Sequence, residues 1–131
     1  MAKEHEKKDD INFEITFFEG VIRHQPYFLE ALVILAELYT KKGLYQEGLK
    51  IDQRLSLLKP EDPVILYNLA CSYSLVNDID QALVTLKKAV FFGYDDLEYI
   101  VQDRDLLNLW QDARFTEYFS AIKKKNSPKT S

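Results

Sequence analysis

Residues 63–92 read PVILYNLACSYSLVNDIDQALVTLKKAVFF, and this stretch decides the fold. Asp62 is placed to cap a helix, with Pro63 at the first helical position, where its missing N–H costs nothing. Leu66, Leu69, Ala70 and Tyr73 then follow the three-and-four spacing of one helix face. Asn77-Asp78 breaks that pattern, since both residues tolerate turn conformations. Asp78 and Gln81 have capping-box spacing, so a second helix starts there and carries Ile79, Ala82, Leu83, Leu86, Ala89 and Val90 on one face. Gly93 stops it. Ala70 and Ala82 are small enough to let the two backbones approach. The stretch is a helical hairpin.

The hairpin has an upstream copy. At an offset of 34, Leu32 pairs with Leu66, Leu35 with Leu69, Ala36 with Ala70 and Tyr39 with Tyr73. Gly43 falls at the turn opposite Asn77, Tyr45 matches Ile79, Leu49 matches Leu83, and Pro26 lies 34 before Pro60. One step further back, Ile11, Ile15 and Val21 match Tyr45, Leu49 and Leu55. The chain therefore divides into a charged leader expected to be disordered (1–9), a half unit (10–25) and two whole units (29–62 and 63–96). A closing segment (97–124) and a polar tail expected to be disordered (125–131) follow. The expected fold class is all-α, a short solenoid in which each hairpin borrows its neighbour's apolar face.

Three positions depart from the repeat. Gly48 stands in a helix interior, which costs about 1 kcal/mol relative to alanine, and Leu55 replaces a small residue. Asp52 occupies the place that Phe18 and Leu86 hold in the neighbouring units. Either the helix is rotated to leave Asp52 at the surface, with Ile51 and Leu55 in the core, or the carboxylate is buried and held by hydrogen bonds.

The 34-residue helix–turn–helix over 10–96, with its Leu-x-x-Leu-Ala, then Tyr, then Pro, resembles the tetratricopeptide repeat. The segment GYDDLEYIVQDRDLLNLWQDARFTEYF is similar to the element that ends such arrays in many bacterial members, through Asp103-Arg104-Asp105-Leu106 and Asp112-Ala113-Arg114-Phe115. The resemblance implies a right-handed superhelix whose concave groove binds a protein or peptide, and a scaffold, not an enzyme. Carried over residue by residue, the groove comprises Glu30, Val33, Glu37, Thr40 and Lys41 from the first unit and Val64, Tyr67, Asn68, Cys71, Ser74 and Leu75 from the second. The family's clamp for C-terminal carboxylates is absent, because Val33 and Glu37 hold its first two places and only Asn68 matches. An apolar groove centre with Glu30, Glu37 and Glu98 around it would suit an apolar anchor flanked by basic residues. The function expected is a non-enzymatic adaptor or small chaperone, with a self-associating homo-oligomeric assembly module as the alternative.

Composition narrows the other classes. A chain of 131 residues with 47% apolar and 29% charged residues is an ordinary globular domain, large enough for a core without staples. Its net charge of −4, with no basic residues interleaving the aromatics, argues against nucleic acid. No apolar run approaches the ~20 residues of a membrane span, and the charged start MAKEHEKKDD has no export signal. The single cysteine fits a reducing compartment, so a cytoplasmic location is expected. No cofactor or metal motif is present. His24 sits at a helix end, where the dipole favours its charge, and Cys71 reads as a small apolar filler. The aspartates of 95–112 lack the glycine and terminal glutamate of a calcium loop and stand where helix caps belong.

Overall fold

The computed structural model describes residues 2–126, with side chains from residue 10 onward. Its helices are α1 (Ala2–His24), α2 (Leu29–Lys42), α3 (Tyr45–Leu58), α4 (Pro63–Leu75), α5 (Ile79–Phe91), α6 (Leu97–Gln102), α7 (Leu107–Trp110) and α8 (Ala113–Asn126). A single 3-10 turn, Arg104–Leu106, separates α6 from α7. The described residues contain no strand. From α1 to α5 each helix packs on the next, so the hairpins stack as a solenoid.

The caps follow the sequence. The Asp62 carboxylate accepts from the Val64 and Ile65 amides, 2.9 and 3.1 Å away, and Asp78 accepts from the Gln81 amide at 3.3 Å. The two hairpin turns are equivalent: Gly43 (φ 85°) and Asn77 (φ 64°) both take the left-handed conformation. In each, the following amide bonds back five residues, Leu44 to the Tyr39 carbonyl at 2.8 Å and Asp78 to that of Tyr73 at 2.9 Å. Glycine and asparagine are the residues that adopt this conformation at least cost.

Two apolar clusters hold the stack. One joins Ile15 to Leu32, Leu35, Ala36, Tyr39, Ile51 and Leu55. The other joins Leu66, Ala70, Ala82, Leu83, Leu86 and Ala89 to Ile100, Leu106, Leu109, Phe115 and Phe119. Ala70 and Ala82 are wholly buried, where α4 and α5 pack together. Gly48 has a reason of its own. A Cβ there would lie 3.2 Å from Thr40 Oγ1 and 3.7 Å from Tyr39 Cβ, so its absence eases the approach of α3 to α2.

The closing segment keeps the repeat register. First helices begin at Leu29, Pro63 and Leu97, and second helices at Tyr45, Ile79 and Ala113, each 34 residues after the last. The segment is thus a third, altered hairpin whose first helix is broken at Asp103. That residue falls 34 after Leu69 and 68 after Leu35, both buried. Instead of filling a core position, Asp103 caps the 3-10 turn through the Asp105 amide at 3.0 Å. Asp96 caps α6 through Tyr99, and Asp112 bonds the Arg114 amide.

Two boundaries differ from expectation, at the start of α1 and the end of α8. Helix α1 begins at Ala2, running through the stretch expected to be a disordered leader; its alanine, lysines and glutamates are good helix formers, and no proline or glycine interrupts it before Gly20. Helix α2 begins at Leu29, after an extended Phe28, at the expected start of the first whole unit. Of the tail expected over 125–131, Lys125 and Asn126 belong to α8 and the remainder lies outside the described residues.

Candidate functional site

A cavity of about 320 Å³ is lined by residues of all three hairpins. Helix α2 contributes Val33, Ala36, Glu37, Thr40 and Lys41, and α3 contributes Asp52 and Leu55. Helix α4 adds Ile65, Tyr67, Asn68, Cys71, Ser72 and Leu75. The altered third unit closes the cavity with Tyr99, Asp103 and Asp105.

Eight of the groove residues named from the sequence meet here: Val33, Glu37, Thr40, Lys41, Tyr67, Asn68, Cys71 and Leu75. Three do not. Glu30 is exposed on the first turn of α2. Val64 lines a neighbouring hollow with Pro63, Tyr94 and Asp96. Ser74 is wholly buried against the third unit, accepting from the Leu109 amide at 3.2 Å while its carbonyl accepts from Asn108 Nδ2 at 2.9 Å.

Tyr67 is not a free groove side chain. It is 3% exposed and belongs to the core cluster, stacked on Tyr94 with centroids 4.2 Å apart and planes 2° from parallel. Its hydroxyl donates to Asp103 Oδ2 at 2.6 Å. Cys71 is buried beside it, with its thiol donating to the same oxygen at 3.6 Å. Burial first, and then the charge of Asp103, push the Cys71 thiol well up, opposite to the shift that activates a nucleophilic cysteine.

Asp52 is buried, not rotated to the surface. It is 5% exposed, Ile51 and Leu55 are buried beside it, and it accepts a hydrogen bond from the Ser72 hydroxyl. Burial pushes its carboxyl up to about 6; the Ser72 bond opposes that shift and the charge of Glu37 adds to it. The Asp105 carboxyl is raised too, by burial and by its neighbour Asp103.

The sequence did not point to Asp103, Asp105 and Tyr99 as cavity residues, because they lie in a segment whose apolar pattern departs from the repeat. The one available signal was the register: Asp103 occupies the place of two buried leucines. Among the described residues no group of three or more His, Cys, Asp or Glu side chains is arranged to hold a metal ion. No described helix is long and apolar enough to cross a membrane.

Stacked hairpins in a 34-residue register around a cavity define the class: this chain has the fold of a tetratricopeptide-repeat protein, a short all-α solenoid. It resembles the solved structure of MamA, residue 41 to the end, from Desulfovibrio magneticus RS-1, with a TM-score of 0.66 and 15% identity over 93% of this chain and 71% of that one. A double mutant of MamA from RS-1 superposes with a TM-score of 0.64 and 17% identity, covering 91% and 70% of the two chains. In sequence, 80 residues are 35% identical to a chloroplastic protein of Arabidopsis thaliana, covering 59% of this chain and 24% of that protein. The match thus spans about a quarter of that relative's length. No family model matches the chain.

Proposed function

We propose that the protein is a non-catalytic protein-interaction module, an adaptor or small chaperone that holds a segment of a partner protein in its cavity. The observation that carries this reading is the cavity itself, to which both whole units and the third hairpin contribute side chains. A hollow of about 320 Å³ lies at the low end of the range for ligand sites and suits a few side chains of an extended segment. Leu75, Val33 and Ile65 give it apolar lining, and its carboxylates favour a segment that carries basic residues. The lone, protonated Cys71 gives no nucleophile and fits a reducing, cytoplasmic setting.

A photo-crosslinking residue at Leu75, with a control at Val84, which is 49% exposed on α5 and outside the cavity, tests the reading. Partner should be captured from Leu75, and the crosslinked partner peptide should be a single segment. Capture from Val84 alone would move the interface to the outer face.

One observation favours the assembly module as a second reading. Phe13 and Phe17, one turn apart on α1, are 72% and 56% exposed at the end of the stack. Exposed aromatic side chains one turn apart on the terminal helix offer apolar surface that a second copy could cover. Light scattering over a range of concentrations would show a dimer that the Phe13→Ser, Phe17→Ser variant lacks. A monomer at all concentrations rules this second reading out.

A further inference from the structure

The lining of the cavity is unbalanced in charge. Glu37 from α2, Asp52 from α3, and Asp103 and Asp105 from the 3-10 turn and its cap converge on it, against one cation, Lys41. Lys41 lies in the last turn of α2 with an exposed side chain that can extend into water. Among the described residues, neither Glu37 nor Asp105 has an ion pair or a side-chain hydrogen bond. Asp103 is occupied by neutral donors alone: the Tyr67 hydroxyl, the Cys71 thiol and the Asp105 amide.

Asp52 supplies an independent pointer. Its Oδ2 accepts from Ser72, and its Oδ1 accepts from nothing among the described residues. Every fully enclosed side-chain nitrogen or oxygen among the described residues has a partner. The unpartnered oxygen of this 5%-exposed carboxylate therefore opens onto the cavity that Asp52 lines. A buried carboxylate with one free oxygen, at a position where the neighbouring units carry Phe18 and Leu86, is costly for the fold. A positively charged donor in the cavity would offset that cost.

The donor set also indicates the kind of cation. No three of these carboxylates are close enough to share a metal ion. A planar guanidinium can span separated acceptors, because its five N–H groups point outward in a fixed fork, whereas an ammonium acts as a point charge. Tyr99, 49% exposed on the lining, offers a ring face of the type on which guanidinium groups stack.

Building on the groove reading above, we infer that the cavity recognises an arginine side chain of the bound segment, with Asp52 and Asp105 as the principal acceptors and Tyr99 as its stacking surface. The basic residue is then the anchor itself, not a flank of an apolar one.

The test uses the isotope-labelled full chain and two blocked heptapeptides, one with a central arginine between leucines and one with citrulline in its place. Citrulline keeps the shape and removes the charge. The arginine peptide should shift the amide signals of Asp52, Ser72, Asp103 and Asp105 saturably, and the citrulline peptide should bind at least tenfold more weakly. The Asp52→Asn, Asp105→Asn variant, shown folded by circular dichroism, should abolish the difference. Equal binding of both peptides at those amides overturns the arginine inference and leaves the groove reading standing. Saturable shifts confined to α5 and α8 overturn both. No saturable shift from the arginine peptide at millimolar concentration overturns the inference, and the Leu75 crosslink then judges the groove reading separately.

Discussion

Ser72 on α4 donates its hydroxyl hydrogen to Asp52 on α3, joining the two whole units inside the stack. Asp52 is more basic in the folded chain, where its carboxyl is raised from 3.8 to about 6, so the native state binds the proton more tightly than the unfolded state. Stability from this group is fully present below pH 4 and is lost as pH rises from about 4 to 6. The full loss is roughly 3 kcal/mol, at 1.36 kcal/mol per unit. Asp52→Asn should therefore stabilise the protein at pH 7, by about 1–3 kcal/mol, and change little at pH 4. Urea unfolding of both proteins at the two pH values checks this, and a variant no more stable at pH 7 than at pH 4 would contradict it.

Tyr67 carries structural weight as well as lining the cavity. Tyr67→Ala should cost about 3–5 kcal/mol, the scale of a buried aromatic truncation, because it removes the ring stacked on Tyr94 and leaves a cavity. Tyr67→Phe keeps the ring and removes only the bond to Asp103, costing about 1–3 kcal/mol. Denaturant midpoints should fall in that order. Leu75→Ala, at a half-buried lining position, is the cleaner probe of partner binding.

The third hairpin covers the apolar face of α5. Ile100, Leu106, Leu109 and Phe115 are wholly buried, and Trp110 packs edge-on against Phe115 at 4.5 Å and Phe119 at 5.1 Å. Removing 94–131 should expose Leu83, Leu86 and Ala89 and cause aggregation, read by size-exclusion chromatography. A truncated chain that stayed monomeric with an unchanged melting temperature would show that the cluster is not shared.

The hairpins were legible because their signals are local. Cap, turn and period agree in each, and Leu32, Leu66 and Ala70 are buried as their spacing requires. The cavity was half legible, since the repeat pattern assigns a face to α2 and α4 but not to a broken helix. Asp52 stayed open from sequence because its partner, Ser72, lies 20 residues away on another helix. Glu19 and Tyr39, at the same separation, also bond, and so do Gln53 and Tyr73, 34 residues further on. Side-chain bonds between units thus recur with the repeat, a relation that apolar periodicity does not encode.

Asp103 gives the sharpest opposition between pattern and structure. By register it should be leucine, as at Leu35 and Leu69, and leucine would strengthen the repeat. In the folded chain, however, its carboxylate receives the Tyr67 hydroxyl, the Cys71 thiol and the Asp105 amide. Asp103→Leu removes a cap and leaves a buried hydroxyl without an acceptor, so a loss of roughly 2–4 kcal/mol is expected. Asp103→Asn keeps one acceptor oxygen where the carboxylate uses both, one for the Asp105 amide and one for Tyr67 and Cys71, so it should cost about 1–3 kcal/mol, still less than Asp103→Leu. It should also bring the Cys71 thiol down, since the Asp103 charge helps to hold it up. Modification of Cys71 by iodoacetamide at fixed pH would then be faster in Asp103→Asn than in the parent chain. If Asp103→Leu instead proved more stable than the parent, the carboxylate would be a burden on the fold, held there by the demands of the cavity alone.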